Sequence, residues 1–378
     1  VPEIQPSNAS SAPLDEPNAG ANIDPISDGV VGGTTSPVTG RGIGGTSGRG
    51  LGRLWGRISA LTLLLIAVAC FGSLPYTASM VTPADASELP QRRYESANLR
   101  MNLLPPRWWP LSEVEAERIE LGVDRGAAEP TRWLGTDRLG RDLLARCLVG
   151  GAVSLTVGIF ASAIAVAVGT VYGMIAGFVG GRVDAAMMRV VDVIYGLPTI
   201  LLVVLLAVAA DGTAERFGIE SGSPARQAIG LVTLLVAIGG VSWLTLARVI
   251  RGQVLSLRAQ PFMEACRAIG VPIRLQLWRH LLPNLIGPIT VYATLTVPAA
   301  MLSESFLSFL GIGVREPLPS WGNLAAAGLA ELNPVSSRWW LLLWPCALIA
   351  LTLLALNFVG EWLRERLDPR ARHSVAVG

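Results

Sequence analysis

The sequence contains no lysine; all 30 of its basic residues are arginine. A Walker A phosphate loop, whose lysine reaches the β/γ-phosphates, is therefore absent, as is any Schiff-base lysine. This chain does not bind ATP in that mode. Histidine is almost as scarce, His280 and His373 being the only two, so a metal-ligand cluster or a histidine-based triad has little material. The four cysteines, Cys70, Cys147, Cys266 and Cys346, form no CxxC pair and read as packing residues. No catalytic, cofactor-binding or metal-ligating residue is expected. Charge is sparse as well. Charged residues make up 15% of the 378, against about 25% in soluble domains, while 51% are hydrophobic and the mean hydropathy is +0.49. Too little polar surface is available for a water-soluble fold of this length, and the class expected is an integral membrane protein. The net charge of +2 gives no reason to expect nucleic acid as a partner.

Residues 1–50 are rich in Gly, Ser, Pro, Asn and Thr and poor in aromatics, so they read as a disordered tail. The tail has no apolar core of its own, which argues against a cleaved signal peptide. The first span is expected at Ile58–Tyr76, within a segment 51–76. The stretch 77–148 is charged and carries Pro-Pro and Trp-Trp pairs; it reads as an extramembrane loop. A transmembrane core follows over 149–362, with spans near Val153–Phe178, Val193–Ala210, Ala228–Ala247, Asn284–Ser303 and Trp339–Gly360, about six in all. The proposed spans two, four, five and six hold no acid or base in their interiors, so the ionisable pathway of an ion-driven carrier is not evident. Asp192 reads as an interfacial charge within reach of Arg189. Gly196-Leu197-Pro198 is placed to kink or start a helix, and Gly169, Gly173 and Gly177 form a small-residue ridge for close helix packing.

Orientation follows from arginine bias. The loop 248–283 carries Arg248, Arg251, Arg258, Arg267, Arg274 and Arg279 against one acid, Glu264, and the tail 363–378 adds Arg364, Arg366, Arg370 and Arg372. The positive-inside rule puts both termini in the cytoplasm and 77–148 outside.

Within 248–283, Pro261 suits the first position of a helix and Gly270 its left-handed stop. Pro272 then starts a second helix that Pro283 limits, giving a hairpin flat beneath the membrane. Phe262, Ala265 and Ile269 fall on one face of the first helix, and Glu264 is spaced to pair with Arg267. Ile273, Leu277 and Leu281 form a stripe on the second, with Trp278 beside it. Small side chains at Ala265, Cys266 and Ala268 permit close approach by a partner. The pattern alone fits equally an amphipathic loop lying on anionic membrane lipid.

Glu264-Ala265-Cys266, then Gly270, then Leu281-Leu282-Pro283 resembles the EAA loop of binding-protein-dependent ABC importer permeases, with Cys266 in place of the second alanine. His280 to Asn284 resembles the His-x-Leu-Pro-Asn ending of the peptide-importer branch. Two further stretches resemble the C-type oligopeptide and dipeptide (and nickel) permeases of that branch. The first is Leu134-Gly135-Thr136-Asp137-Arg138-Leu139-Gly140-Arg141-Asp142. The second is Glu304 to Gly313, containing Ser308, Phe309, Leu310 and Gly311, followed by Pro317, Ser320, Trp321 and Gly322. Read singly, Asp137 and Asp142 are ordinary cap candidates and 304–322 an ordinary re-entrant turn.

The resemblance implies an all-α, type I ABC importer permease fold in a bacterial inner membrane. It implies no enzymatic activity of the chain itself, because ATP hydrolysis falls to partner ATPases. A paired permease subunit and an extracytoplasmic binding protein complete the assembly, and the cargo is a peptide. Pro261, Phe262, Glu264, Ala265, Cys266, Arg267, Gly270, Leu282 and Pro283 are then the residues that couple to the ATPase. The alternatives are nickel or another small solute carried by the same importer class, and a secondary transporter. The resemblance does not reach the tail 1–50, and 77–130 is longer than it requires.

Overall fold

The computed structural model describes residues 47–81, 90–123, 131–219, 223–333 and 337–367. The expected disordered tail lies outside these up to residue 46, and so does 368–378 of the tail at the other end. Helix α1 (Ser47–Gly72) stops one residue before α2 (Leu74–Thr77), where Pro75 sits in the first turn. A two-strand hairpin follows, β1 (Met80–Val81) antiparallel to β2 (Gln91–Arg92), and then α3 (Glu113–Val123). Ten residues earlier than the sequence placed the second span, α4 (Leu143–Val179) begins. At 37 residues it is about 55 Å long, well beyond a hydrocarbon core of about 30 Å. Both of its ends therefore project into polar surroundings.

The third span was expected at Val193–Ala210, but the chain breaks inside that stretch. Helix α5 (Gly181–Tyr195) and helix α6 (Thr199–Arg216) meet at 83° across Gly196-Leu197-Pro198. Pro198 has no N–H to continue α5 and biases Leu197 away from helical backbone. Helix α7 (Pro224–Arg258) is N-capped by Ser223, whose hydroxyl accepts from Arg226 N. It is followed by α8 (Pro261–Ala268) and a single turn, α9 (Ile273–Leu275). Pro283 does not limit that second helix. A π-helical segment, Gln276–Leu281, carries it straight into α10 (Leu282–Phe309), because the wider turn accommodates the proline ring and its missing donor. The chain ends in α11 (Trp321–Leu329) and α12 (Trp340–Leu367). Five of these helices are long and apolar enough to cross a membrane, six spans if the bent pair counts as one.

Helix α4 is the hub, packing on α7, α10, α1 and α11. The glycine ridge makes this possible: a Cβ at Gly169, Gly173 or Gly177 would come within 2.9, 2.5 and 2.8 Å of Trp243 O, Ala247 O and Arg251 O on α7. Backbone-to-backbone approach of this kind is how membrane helices gain contact where lipid is as apolar as leucine. One core cluster joins Val157 and Ala161 of α4 to Leu234, Ile238 and Leu244 of α7, with Ala300 and Leu307 of α10. The outward faces remain apolar, as at Leu61, Leu64 and Leu65 of α1 and Leu201 and Leu205 of α6, which suits contact with acyl chains.

The helices are longer than the apolar cores read in the sequence, and so they take in charges. Arg146 lies in α4, Arg248 and Arg251 in α7, and Glu304 in α10, where it is fully buried. All four lie beyond the spans read from the sequence, whose interiors hold no acid or base; it is the helices that run further. The pairing expected for Asp192 is also different, since its carboxylate accepts from Arg248 at 3.0 Å rather than from Arg189.

Candidate functional site

Two constellations occupy opposite ends of α4. At its C-terminal end lies the hairpin 258–283. Gln260 precedes Pro261, which occupies the first turn of α8. The helix closes with Gly270 at φ +76, as Gly270 N donates to Arg267 O and Val271 N to Cys266 O, both at 3.0 Å. Only a residue without Cβ enters that conformation freely. Gln276, almost fully buried, donates through Nε2 to Val271 O at 2.6 Å and so ties the turn to the π-helical segment.

The inward face of α8 is Phe262, Met263 and Cys266, not the Phe262, Ala265 and Ile269 read from spacing. Met263 is fully buried against Ile250 and Val254 of α7 and Leu281 and Leu285, with Phe262, Leu277 and Leu282 partly buried around them. Ile269, by contrast, is 81% exposed. Its N–H still donates to Ala265 O in helical fashion, and Ala265 on the same face is exposed as well, so this face as a whole points outward. Arg267 donates to Arg258 O at 3.2 Å instead of pairing with Glu264, and Arg258 in turn donates to Gly177 O at 3.1 Å. The hairpin is thus bonded to the last turns of α7 and α4 and continuous with α10. What it presents outward is Glu264, Ala265, Arg267, Ala268, Ile269 and Ile273, with Trp278 and Pro283 also exposed. Small and aliphatic groups flanked by an acid and a base thus lie together on its open face.

At the N-terminal end of α4 the other two signatures meet. Thr136, fully buried, accepts from Leu104 N at 2.8 Å and donates to Met101 O at 2.7 Å. Asp137 is not a helix cap: Oδ1 accepts from Leu139 N and Arg141 N, and Oδ2 from Arg141 Nε at 2.6 Å and Arg146 Nη1 at 2.5 Å. Both arginines also donate through Nη2 to Glu316 Oε1 at 3.0 Å. Burial pushes the Asp137 carboxyl above its ordinary range, while the Arg146 guanidinium and the Leu139 N–H pull it back. Asp142 is the α4 cap, accepting from Leu144 N at 3.0 Å and from the Thr131 hydroxyl at 2.7 Å. Gly135 and Gly140 both have positive φ, and a Cβ on Gly140 would sit 1.8 Å from Asn98 O.

The second signature packs onto the first. Ser308 Oγ donates to Glu304 Oε1 at 2.7 Å and accepts from Val314 N at 2.9 Å, and Ser305 Oγ donates to Oε2 at 3.3 Å. Ser320 caps α11 in a reciprocal box with Asn323. Trp321 is fully buried and donates through Nε1 to Cys147 O at 2.9 Å. Gly313 lies against Ser308 and Gly322 against the Ser305 backbone, whereas Gly311 turns the chain at φ +79. Phe309 and Leu310 are exposed.

Sequence reading did not find Arg146, Glu316, Arg315, Asp211 or Arg226. Arg315 Nη1 pairs with Asp211 at 2.7 Å, and Asp211 pairs with Arg226 at 3.2 Å, so the 311–318 loop is fastened to α6 and α7. Arg146, set just inside an apolar run, was the one visible signal.

The binding-protein-dependent transport system inner membrane component family matches residues 169–373, which covers the last turns of α4 and helices α5 to α12 with the hairpin between them. An oligopeptide transport system permease protein, OppC, from Haemophilus influenzae is 44% identical over 250 residues, 65% of this chain and 74% of that protein. The OppC of Escherichia coli K12 is 43% identical over 246 residues, 65% and 74% of the two chains. The dipeptide transport system permease protein DppC of Bacillus subtilis is 41% identical over 240 residues, 64% and 69%. With its packed apolar helices and its hairpin joined to three of them, the chain belongs to the binding-protein-dependent transport system inner membrane component family, as a multi-pass permease subunit of an ABC importer.

Proposed function

We propose that this chain carries peptides across the bacterial inner membrane by alternating access, as the C-type subunit beside a paired permease. An extracytoplasmic binding protein delivers the cargo to the face bearing residues 90–123 and 131–142, and a separate ATPase supplies the energy. The names of the relatives, oligopeptide and dipeptide permeases, favour peptide over nickel. Arginine bias favours cytoplasmic termini and a cytoplasmic hairpin.

The observation that carries the mechanism is the construction of α8. Its outer surface is open, while Met263 and the Arg267 and Arg258 bonds make it one piece with α7, α4 and α10. Displacement of α8 by an ATPase is therefore passed to three long helices rather than absorbed in a loose loop. The helices are the two-state element and the nucleotide state of the partner is the bias.

In membrane vesicles holding the complete transporter, Glu264→Lys and Gly270→Val should abolish ATP-driven peptide uptake while the chain still inserts. The first reverses an exposed charge at the docking surface. The second strains a left-handed turn by about 1–2 kcal/mol or more for a β-branched residue. Normal uptake by both variants would remove the coupling role from this hairpin.

A further inference from the structure

The extracytoplasmic segment holds a cluster of indoles that neither the hairpin nor the signatures use. Trp108 and Trp109 sit beside Trp339, with ring centroids 6.0 and 5.2 Å away, and Trp108 is 6.4 Å from Trp344. Trp108 Nε1 donates to Trp133 O at 3.2 Å, and Arg107 N donates to Arg132 O at 2.9 Å. Two stretches distant in sequence, 107–109 and 131–133, thus form one patch. Trp108, Trp109 and Trp133 remain 55%, 44% and 57% exposed, and Leu111 and Arg107 are exposed beside them.

The depth of this patch is set by what it touches. By length and composition the membrane-crossing part of α12 starts at Trp340, with Trp339 just before it and Trp344 five residues, about 7.5 Å, further along the helix. Rings seated on both residues lie at one end of the span, the part of a membrane helix that meets the headgroup layer. The seat is firm, since Leu104 is fully buried and bonded to Thr136. Indoles are the side chains suited to that boundary, apolar in body with one N–H for the headgroup layer, and an adjacent arginine suits lipid phosphate.

We propose that Trp108, Trp109 and Trp133, with Arg107, form a foot that rests in the lipid headgroup layer and holds the stretches 90–123 and 131–142 down on the membrane. The foot requires only that α12 spans the bilayer; it is independent of the cargo and of the hairpin's role.

The test uses the full chain in phosphatidylcholine and phosphatidylglycerol vesicles, compared with the variant W108F/W109F/W133F. Phenylalanine keeps the aromatic body, and W133F alone serves if the triple variant folds poorly. The difference in tryptophan emission between wild type and variant reports the replaced rings. Lipid brominated near the headgroup end of its acyl chains should remove most of that difference emission, and aqueous acrylamide should remove little. Difference emission quenched by acrylamide and spared by brominated lipid would overturn the foot. So would protection from acrylamide that appears only when the extracytoplasmic binding protein is added, which would make the patch a protein-docking face. The remaining tryptophans report insertion: if brominated lipid leaves them unquenched, it is the membrane reading that fails and not the foot alone.

Discussion

The two ends of α4 are fastened by different means. At the N-terminal end, Asp137, Arg141, Arg146 and Glu316 share four charged hydrogen bonds of 2.5–3.0 Å, and the loops there are tied to the bundle by buried Thr136, Glu304, Ser320 and Trp321. At the C-terminal end the hairpin is held by apolar burial of Met263 and Leu281 and by arginines donating to carbonyls, and its outer surface carries Ala265, Ile269 and Ile273 open to solvent. Ion pairs with directed geometry hold one arrangement and resist sliding. An apolar seat tolerates small shifts and leaves a face free for a partner. The first end is built to keep its shape; the second leaves a face open, as its proposed coupling role requires.

The largest test of that contrast is Arg146→Ala. Its guanidinium is 2% exposed, so truncation leaves buried Asp137 with Arg141 as its one remaining charged partner and breaks the Arg146 link to Glu316, and should cost about 3–5 kcal/mol, read as a lowered thermal midpoint in detergent. The neighbouring pair Arg315 with Asp211 is more exposed, and Arg315→Ala should cost about 1 kcal/mol or less; equal losses for the two would dissolve the distinction drawn here. Met263→Ala comes next. Removing a fully buried side chain should cost about 2–4 kcal/mol, concentrated in the hairpin and visible as faster hydrogen exchange over 261–285. Smallest in stability is Ile269→Ser, at 81% exposure expected within about 0.5 kcal/mol of wild type. Its effect should appear only when the ATPase is present, as weaker copurification of the complex. A large loss of stability from Ile269→Ser would mean that this side chain is structural and the docking face lies elsewhere.

Much of the hairpin was legible because prolines and glycines act locally. Pro261 starts α8 and Gly270 ends it, each through its own backbone preference. Which face of α8 turns inward was not legible, since Phe262, Met263, Ala265 and Ile269 are all apolar and periodicity ranks them alike. The position of the α7 and α10 ends decides that Met263 is covered and Ile269 is not. Likewise Pro283 looked like a stop, and only the π-helical turn before it, held by packing of Leu281 and Leu285, lets the helix run on.

Composition and local pattern were enough for the membrane class, the number of spans, the absence of a nucleotide loop and the order of the signatures. These depend on side-chain chemistry and on short stretches of chain. The break at Pro198 was legible, but its angle of 83° was not, and the carboxylates of Asp137 and Glu316 converging on Arg141 and Arg146 and the indoles of 108 and 109 gathered over the first turn of α12 were settled only in three dimensions. The last two join residues far apart in sequence, and such contacts exist only once the helices have packed around α4.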